Sequence, residues 1–280
     1  MKVLVAGASG LIGTRLLAAL RARGDEAVAL PRFGAVPWTV EGVDAVVNLA
    51  GASIAGKRWS PAYKKELFDS RVLPTRALVE AIAKASQKPR VLVSGSAVGF
   101  YGDGGDAIID ESTGPGKDFL SELAVAWEAE ASKTSIRFVL PRTGIVLSSK
   151  GGALEKMLPP FKAFVGGPIG SGKQWLPWIH LQDEVDAILF CLDHQSLQGP
   201  VNLAAPGIVN MKDFTKGLGR ALHRPSWAPV PAPVLRLAVG EFAEALLGGQ
   251  RALPRKLESA GFKFRFPTLD AALADLFPNG

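Results

Sequence analysis

The stretch VLVAGASGLIG (residues 3–13) carries the clearest structural signal in the sequence, because it joins an apolar run to a helical one through regularly spaced glycines. Gly7, Gly10 and Gly13 form a GxxGxxG pattern. In a strand–turn–helix unit, the first glycine permits a tight turn, the second lets a pyrophosphate approach the backbone, and the third lets the helix pack on the sheet. The pattern therefore predicts a dinucleotide-binding βα turn.

The start of the helix after this turn completes the predicted phosphate site. The free N–H groups of a first helical turn attract anions, and we predict that Leu11 and Ile12, which lead into the helix, contact the cofactor. The hydroxyl of Ser9 adds one more donor. The alternative is a plain βα turn that binds no ligand.

The end of the second predicted strand indicates which dinucleotide is bound. NAD sites place an acidic residue there for the ribose hydroxyls, whereas this chain has VALPR (28–32), with Pro31 and Arg32 at that point. A guanidinium suits a 2′-phosphate, so we predict NADP as the cofactor. The alternative is that Arg32 is an ordinary surface arginine.

Strand and helix patterns alternate through the first half of the chain. Such alternation predicts a parallel sheet covered by helices on both faces, the Rossmann-type doubly wound α/β fold. The predicted strands are residues 2–7, 26–30, 44–51, 90–96 and 136–147, and the predicted helices are residues 13–24, 62–85 and 121–133.

From Gly151 onward prolines become frequent and regular alternation stops. Helices are predicted at 211–224 and 234–249, without strands between them. We predict an NADP-binding Rossmann domain over residues 1–205 and a smaller C-terminal substrate lobe over residues 206–280, with parts of 150–178. A crevice between the two is where open α/β sheets bind ligands.

Composition excludes several classes of protein. The 280 residues are 48% hydrophobic, and the net charge of +6 is dispersed along the chain, unlike a nucleic-acid footprint. The single cysteine, Cys191, allows no disulfide within the chain, and the three histidines lack metal-ligand spacing. No apolar run reaches the roughly 18 residues of a membrane span, and no signal peptide is recognisable. We expect a soluble protein of the cytoplasm or an organelle matrix.

Motifs along the whole chain resemble the extended short-chain dehydrogenase/reductases. The N-terminal half has GASGLIG (7–13), NLAG (48–51) and VSGSAVGFYGD (93–103), and the C-terminal half has RTGIVLSSKGGAL (142–154) and GGPIGSGKQWLPWIHLQDEVDAI (166–188). Together they resemble an atypical, epimerase-like subgroup whose substrate is unassigned. The resemblance implies a Rossmann fold, a nicotinamide cofactor and a small-molecule substrate.

The catalytic YxxxK segment of that superfamily is absent. Tyr63 and Tyr101 are the only tyrosines, and neither has lysine four residues later. Alignment on Glu128, which matches a family glutamate, puts Leu120 in the tyrosine position and Ala124 in the lysine position. An arginine, Arg71, stands where the superfamily has a helix asparagine, a loss that the subgroup shares.

Two hydroxyl groups remain as candidate catalytic residues. The resemblance implies that Ser96, at the end of the fourth predicted strand, polarises a substrate carbonyl, with Ser94 as a second hydroxyl near the nicotinamide. Tyr101 is a candidate substitute acid. The alternative is that Tyr101 packs the loop and makes local hydrogen bonds.

Further cofactor contacts are implied by the resemblance. They are the adenine–ribose residues Leu49, Ala50 and Gly51, the helix residues Glu66 and Arg71, and Val146 beside the nicotinamide. A surface ion pair between Glu66 and Arg71 is the alternative.

A mixed basic and aromatic substrate crevice is a further hypothesis, against the alternative that its tryptophans are core residues. Its candidate residues are Lys57, Arg58, Trp59, Lys173, Trp175 and Trp178. We expect His180 to orient its loop through a buried hydrogen bond.

Three functions fit the sequence. The first is an NADP-dependent oxidoreductase or epimerase-like enzyme that acts on an unidentified small molecule. The resemblance is compatible with a homodimer. The second is an NADP(H)-binding sensor or regulator without efficient turnover, which the missing tyrosine and lysine favour. The third is a structural subunit with vestigial cofactor binding.

Overall fold

A computed structural model describes residues 1–278 of the chain. Its strands are β1 (Lys2–Ala6), β2 (Glu26–Ala29), β3 (Ala45–Asn48), β4 (Val91–Ser94), β5 (Ser96–Ala97), β6 (Ile108–Ile109), β7 (Arg137–Thr143), β8 (Ile145–Leu147), β9 (Trp175–Leu176), β10 (Trp178–His180), β11 (Gly199–Leu203), β12 (Val209–Asn210) and β13 (Arg251–Ala252). Its α-helices are α1 (Leu11–Ala22), α2 (Pro61–Lys84), α3 (Phe119–Ala131), α4 (Gly152–Lys162), α5 (Leu181–Asp193), α6 (Met211–Ala221), α7 (Ala232–Val239), α8 (Phe242–Leu247), α9 (Arg255–Ser259) and α10 (Leu269–Leu276), and a 3₁₀ turn spans Val98–Tyr101.

A parallel sheet in the order β11-β7-β4-β3-β1-β2 organises the molecule. Its side chains alternate between two buried faces: Val3 and Val5 pack with α1 and α5, whereas Leu4 packs with α2 and α3. Strands buried on both faces are apolar throughout, which is why VLVA reads as a continuous run. The prediction of a Rossmann-type doubly wound sheet is confirmed.

The chain crosses from β2 to β3 over β1, so the strand order reverses between β1 and β3. At such a switch point the two flanking connections diverge to opposite faces and leave a crevice at the carboxyl edge of the sheet. The glycine turn of residues 7–10 lies at this edge.

The predicted strand over residues 136–147 is in fact two strands. It breaks at Gly144, where a Cβ atom would stand 2.6 Å from the carbonyl oxygen of Pro177. β7 stays in the main sheet, whereas β8 leaves it and pairs with β10 in parallel register, Ile145 opposite Trp178. Sequence alternation alone did not predict this change of partner.

The predicted helix over residues 234–249 is also divided, into α7 and α8. The break is at Gly240, which has a φ of 65°, a left-handed conformation that ends a helix. Elements that were not predicted include β11, which forms an edge of the main sheet, and α4, whose Pro159 and Pro160 suggested a loop. In α4 the buried spacing of Leu154, Leu158 and Phe161 outweighs the prolines.

A second core joins residues before and after residue 205. It packs α4, β8 and β10 against α6 and α10, with Trp178 and Phe214 completely buried at its centre. β9 and β12 pair across the same junction, antiparallel. These contacts tie residues 147–178 to the chain beyond Ala205, and the division into lobes at residue 205 stays a prediction. Among the helices of residues 1–278, none combines the length and apolar character needed to cross a membrane.

Candidate cofactor and substrate site

A crevice of about 1140 Å³ opens at the carboxyl ends of β1, β2 and β3, and we call it the cofactor crevice. Half of the predicted cofactor residues line it: Gly7, Ser9, Pro31, Arg32, Ala50, Gly51 and Glu66. The structure thus brings together residues from four separate segments of sequence. The other predicted cofactor residues, Gly10, Leu11, Ile12, Gly13, Leu49, Arg71 and Val146, do not line it.

The glycine turn is shaped by close backbone packing. Gly7 has a φ of 75°, and a Cβ atom there would stand 2.4 Å from the carbonyl oxygen of Leu49. At Gly13 a Cβ would stand 2.3 Å from the carbonyl oxygen of Gly7, so α1 packs directly on the turn. Any side chain at either position would force the turn apart.

The first turn of α1 is open to an anion. Gly10 is the N-cap and contributes no side-chain cap, which leaves N–H groups of Leu11 and Ile12 available as donors. Leu11 itself packs against the start of α4, since a Cβ at Gly152 would lie 3.2 Å from it. This end of α1 therefore contacts the start of α4.

Arg32 stands at the rim of the cofactor crevice with an exposed side chain. Among residues 1–278 its guanidinium forms neither an ion pair nor a hydrogen bond. The adjoining wall is built by Trp38, which donates to the carbonyl oxygen of Pro31 (3.2 Å) and packs edge-on against Phe33. A guanidinium free of partners at this point is available to a phosphate, and its contact with a 2′-phosphate stays a prediction.

Glu66 and Arg71 do not form the ion pair that was their alternative. Glu66 binds Lys57 (2.8 Å) at the surface. Arg71 is buried and donates to the carbonyl oxygens of Ala52 (2.9 Å) and Leu67 (3.1 Å). Burial without a carboxylate lowers the pKa of Arg71 to about 10.

The Arg71 guanidinium lies directly behind Gly51. A Cβ atom at Gly51 would stand 3.0 Å from its Cζ atom, and Gly51 lines the cofactor crevice. A buried cation this close to the crevice raises the local positive potential, which favours an anionic ligand.

Ser96 is buried, with 5% of its surface exposed, and its hydroxyl donates to Glu128 (2.6 Å). The same carboxylate accepts two hydrogen bonds from the Arg142 guanidinium, both at 2.8 Å. Glu128 therefore keeps its counter-charge if the Ser96 hydroxyl rotates toward a ligand. Ser94 is fully buried and accepts from Asn48 (3.2 Å).

Tyr101 lies on the far side of the same network. Its hydroxyl donates to Asn202 (2.6 Å) and accepts from Arg142 (3.0 Å), and burial raises the pKa of its phenol. These contacts favour the local-packing alternative over a role as a free acid.

Sequence reasoning missed most of this buried network. Glu128 served only as an alignment marker, and the side chains of Arg142 and Asn202 were not considered. One feature of the sequence could have indicated it. Arg142 is a charged residue inside the apolar strand RFVLPRT, and a charge in a buried strand needs a partner.

The positions that would hold the missing tyrosine and lysine are filled by packing. Leu120 covers Gly99, where a Cβ would stand 3.2 Å from the leucine Cβ. Ala124 is buried in the cluster that contains Tyr101 and Phe100.

A second cavity, of about 500 Å³, lies among α4, β8, β9, α7 and α8, and we call it the apolar cavity. Of the predicted crevice residues, Lys57, Arg58 and Trp175 line it. Trp178 is instead a core residue that donates to the carbonyl oxygen of Gly207. Trp59 and Lys173 lie outside its wall.

His180 caps α5. Its Nδ1 atom accepts from the backbone N–H of Gln182 (3.1 Å), and burial lowers its pKa, which favours the neutral ring. The buried hydrogen bond predicted for His180 is thus this cap at the start of α5. Within residues 1–278, no cluster of histidine, cysteine or acidic side chains is arranged to hold a metal ion.

Comparison with protein families adds an independent observation to this geometry. A model of the NAD dependent epimerase/dehydratase family matches residues 3–204. The chain belongs to this family. A domain of unknown function (DUF1731) matches residues 230–276, which include α7, α8 and the chain up to α10. The sequence-based prediction of an epimerase-like member of the extended superfamily is confirmed.

The relatives in this family extend over nearly the whole chain. Epimerase family protein MT2273 of Mycobacterium tuberculosis is 43% identical over 290 residues, covering 97% of this chain and 96% of that protein. The chloroplastic SDR39U1 homolog of Arabidopsis thaliana is 41% identical, covering 98% of this chain and 86% of that protein.

Solved structures of family members are similarly close. Human epimerase family protein SDR39U1 (isoform 2), crystallised with NADPH, has a TM-score of 0.94 at 36% identity and covers both chains completely. A nucleoside-diphosphate sugar epimerase from Corynebacterium glutamicum has a TM-score of 0.79 at 33% identity, covering 99% of this chain and 58% of that one. The NADPH in the human protein agrees with the cofactor predicted from Arg32.

Glu184, in α5, is a completely buried acid beside the end of β7. One of its carboxyl oxygens accepts from Thr143 (2.8 Å), at the end of β7, and the other has no partner among residues 1–278. Complete burial raises the pKa of Glu184 to about 8. The folded protein therefore holds a proton there at neutral pH.

We expect the Glu184→Gln variant to gain stability over the natural protein as pH rises from 5 to 8. The unfolded chain loses this proton near pH 4.5, whereas the folded chain keeps it until about pH 8. The free energy of unfolding of the natural protein therefore falls across that window, by at most about 1.4 kcal/mol per pH unit. Urea unfolding of both proteins at several pH values measures the difference, with exposed Glu122→Gln as the control. Parallel pH profiles would refute it.

Proposed function

We propose that this protein is an NADP(H)-dependent oxidoreductase or epimerase-like enzyme that acts on a small molecule. The observation that carries the proposal is the partner-free Arg32 guanidinium at the rim of a cofactor crevice built on a GxxGxxG turn. Such a guanidinium suits the 2′-phosphate that distinguishes NADP from NAD. The NADPH crystallised with human SDR39U1 supports the same cofactor.

The residues present fit this cofactor. The turn at Gly7 and Gly13 has no room for a Cβ atom, the start of α1 offers backbone donors, and Arg71 adds a buried positive charge behind Gly51. Gly10, Leu11, Ile12 and Leu49 would hold the phosphates and ribose from this turn and the end of β3, and Val146 would border the nicotinamide. When bound, NADPH supplies the hydride of the reaction.

Ser96 is the residue that we propose to contact the reacting atoms. Its hydroxyl would turn from Glu128 to a substrate oxygen, where a positioned donor stabilises developing negative charge. Arg142 would remain the counter-charge of Glu128 during that change, because the two 2.8 Å hydrogen bonds between them do not involve Ser96. With Leu120 and Ala124 in place of tyrosine and lysine, the proton on the product oxygen would come from water.

A sensor without turnover remains the second candidate, because the apolar packing of Leu120 and Ala124 favours it. The proposals for a homodimer and for residence in the cytoplasm or an organelle matrix stand as sequence predictions. Chromatography with light scattering tests the dimer.

Arg32→Asp tests the choice of cofactor. We expect this variant to bind NADPH about 10- to 100-fold more weakly, because one charge-assisted pair is lost, and to bind NADH as well as or better than the natural protein. Titration calorimetry with both cofactors gives the dissociation constants. Arg255→Asp on α9, outside the cofactor crevice, makes the same change in net charge and should leave both unchanged. Equal affinities of the natural protein for NADPH and NADH would refute NADP as the cofactor.

A further inference from the structure

The walls of the apolar cavity are mostly hydrocarbon. They include Ile145, Met157, Ile169, Met211, Phe242 and Leu246. The volume of about 500 Å³ falls within the range of about 300–1,000 Å³ that is typical of small-molecule sites. Sugar hydroxyl groups placed against such walls would lose their hydrogen bonds to water without replacement. The cavity therefore favours a ligand with an apolar body.

The polar groups of the cavity are predominantly cationic. Lys57, Arg58 and Lys156 line it, and no carboxylate among residues 1–278 does. Lys57 is neutralised by Glu66 (2.8 Å). Arg58 and Lys156 form no ion pair within the described residues. Two exposed cations without a counter-charge thus stand at the wall of the apolar cavity.

Both cations are held in place by backbone carbonyl groups. Arg58 donates to Leu237 (3.1 Å) at the end of α7, and Lys156 donates to Ala55. Gly240 gives Arg58 its room, because a Cβ atom there would stand 2.8 Å from Nε. A cation fixed by neutral acceptors keeps its charge available for an anion.

The apolar cavity also adjoins the dinucleotide turn. α4, which supplies Met157 and Lys156, begins at Gly152, and a Cβ there would lie 3.2 Å from Leu11 and 3.5 Å from the carbonyl oxygen of Val146. Ala153 and Ile145 of the cavity wall are the sequence neighbours of Gly152 and Val146, so the wall is continuous in sequence with a segment that the proposed function assigns to the cofactor.

We propose that the apolar cavity binds a small amphipathic organic acid, with its apolar body against Met157 and Phe242 and its anionic group toward Arg58 and Lys156. The binding of such an acid is inferred from the cavity alone. Its role as the substrate of hydride transfer rests on the proposed function. It assigns a substrate class distinct from the nucleotide sugars.

Titration calorimetry with decanoate and decan-1-ol, on the protein with and without NADPH, tests the proposal. We expect decanoate to bind more tightly than the alcohol. Arg58→Gln and Lys156→Gln should each weaken decanoate binding by about 10- to 100-fold and leave the alcohol unaffected. Met157→Asn should weaken both ligands by about tenfold. Lys162→Gln, an exposed lysine of α4 outside the cavity, is the matched control and should change neither.

The outcomes separate this inference from the proposed function. If decanoate fails to bind, or binds equally to the Arg58, Lys156 and Lys162 variants, the organic-acid assignment is overturned even though NADPH binds. If UDP-glucose binds more tightly than decanoate, the assignment is likewise overturned. If decanoate binds with the expected charge dependence but NADPH does not bind, the cavity assignment stands and the proposed function fails.

Discussion

Replacing Glu128 by alanine should lower the free energy of unfolding by about 3–5 kcal/mol, since removal of one partner of a buried ion pair leaves the other charge uncompensated. The stranded group is Arg142, only 3% exposed and held by two hydrogen bonds of 2.8 Å to the Glu128 carboxylate. Urea unfolding with linear extrapolation measures this loss.

The control for this stability effect lies on the same helix. Glu122 is exposed on α3, and Glu122→Ala should change the free energy of unfolding by no more than about 0.5 kcal/mol. The double variant Glu128→Leu/Arg142→Leu should lose less than the sum of its single variants, because the two side chains act as a pair. A loss below about 1 kcal/mol for Glu128→Ala would contradict the importance of the pair.

Ser96→Ala should reduce turnover of a substrate by about 100- to 1000-fold, the usual effect of removing one positioned donor to a developing oxyanion. NADPH affinity should stay nearly unchanged, since the Ser96 hydroxyl bonds to Glu128 and is proposed to contact the substrate oxygen, not the cofactor. Steady-state kinetics and calorimetry on the same preparations separate the two quantities.

Tyr101→Phe distinguishes the two candidate hydroxyl groups. The Tyr101 hydroxyl is engaged by Asn202 and Arg142, so we expect this variant to retain turnover. A loss as large as that of Ser96→Ala would instead make Tyr101 the acid. Full turnover in Ser96→Ala would refute the carbonyl-polarising role of Ser96.

The sequence predicted the parts of the fold that local pattern determines. The runs KVLVA and VLVS are apolar because they are buried on both faces of the sheet, and glycines at 7, 10 and 13 follow from the backbone packing of the turn. These features need only neighbouring residues to be recognised.

Features that depend on distant residues were not predictable in the same way. The strand break at Gly144 exists because Pro177 packs against it, and the Tyr101–Asn202 hydrogen bond joins residues 101 positions apart. The apolar cavity likewise collects side chains from both halves of the chain, so no local pattern marks it. Tertiary packing, not propensity, determines these contacts.

Transfer of deuterium from NADPH that carries deuterium at both C4 positions of the nicotinamide is the measurement that most directly separates an enzyme from a cofactor-binding protein. The protein would be incubated with labelled NADPH and a panel of apolar oxo acids and nucleotide sugars, followed by mass spectrometry. If the proposed function is right, deuterium appears on carbon in a reduced product while NADP⁺ accumulates, and the Ser96→Ala variant transfers little. Tight binding of NADPH with all of the label retained on the cofactor would contradict hydride transfer to these compounds and favour the sensor instead.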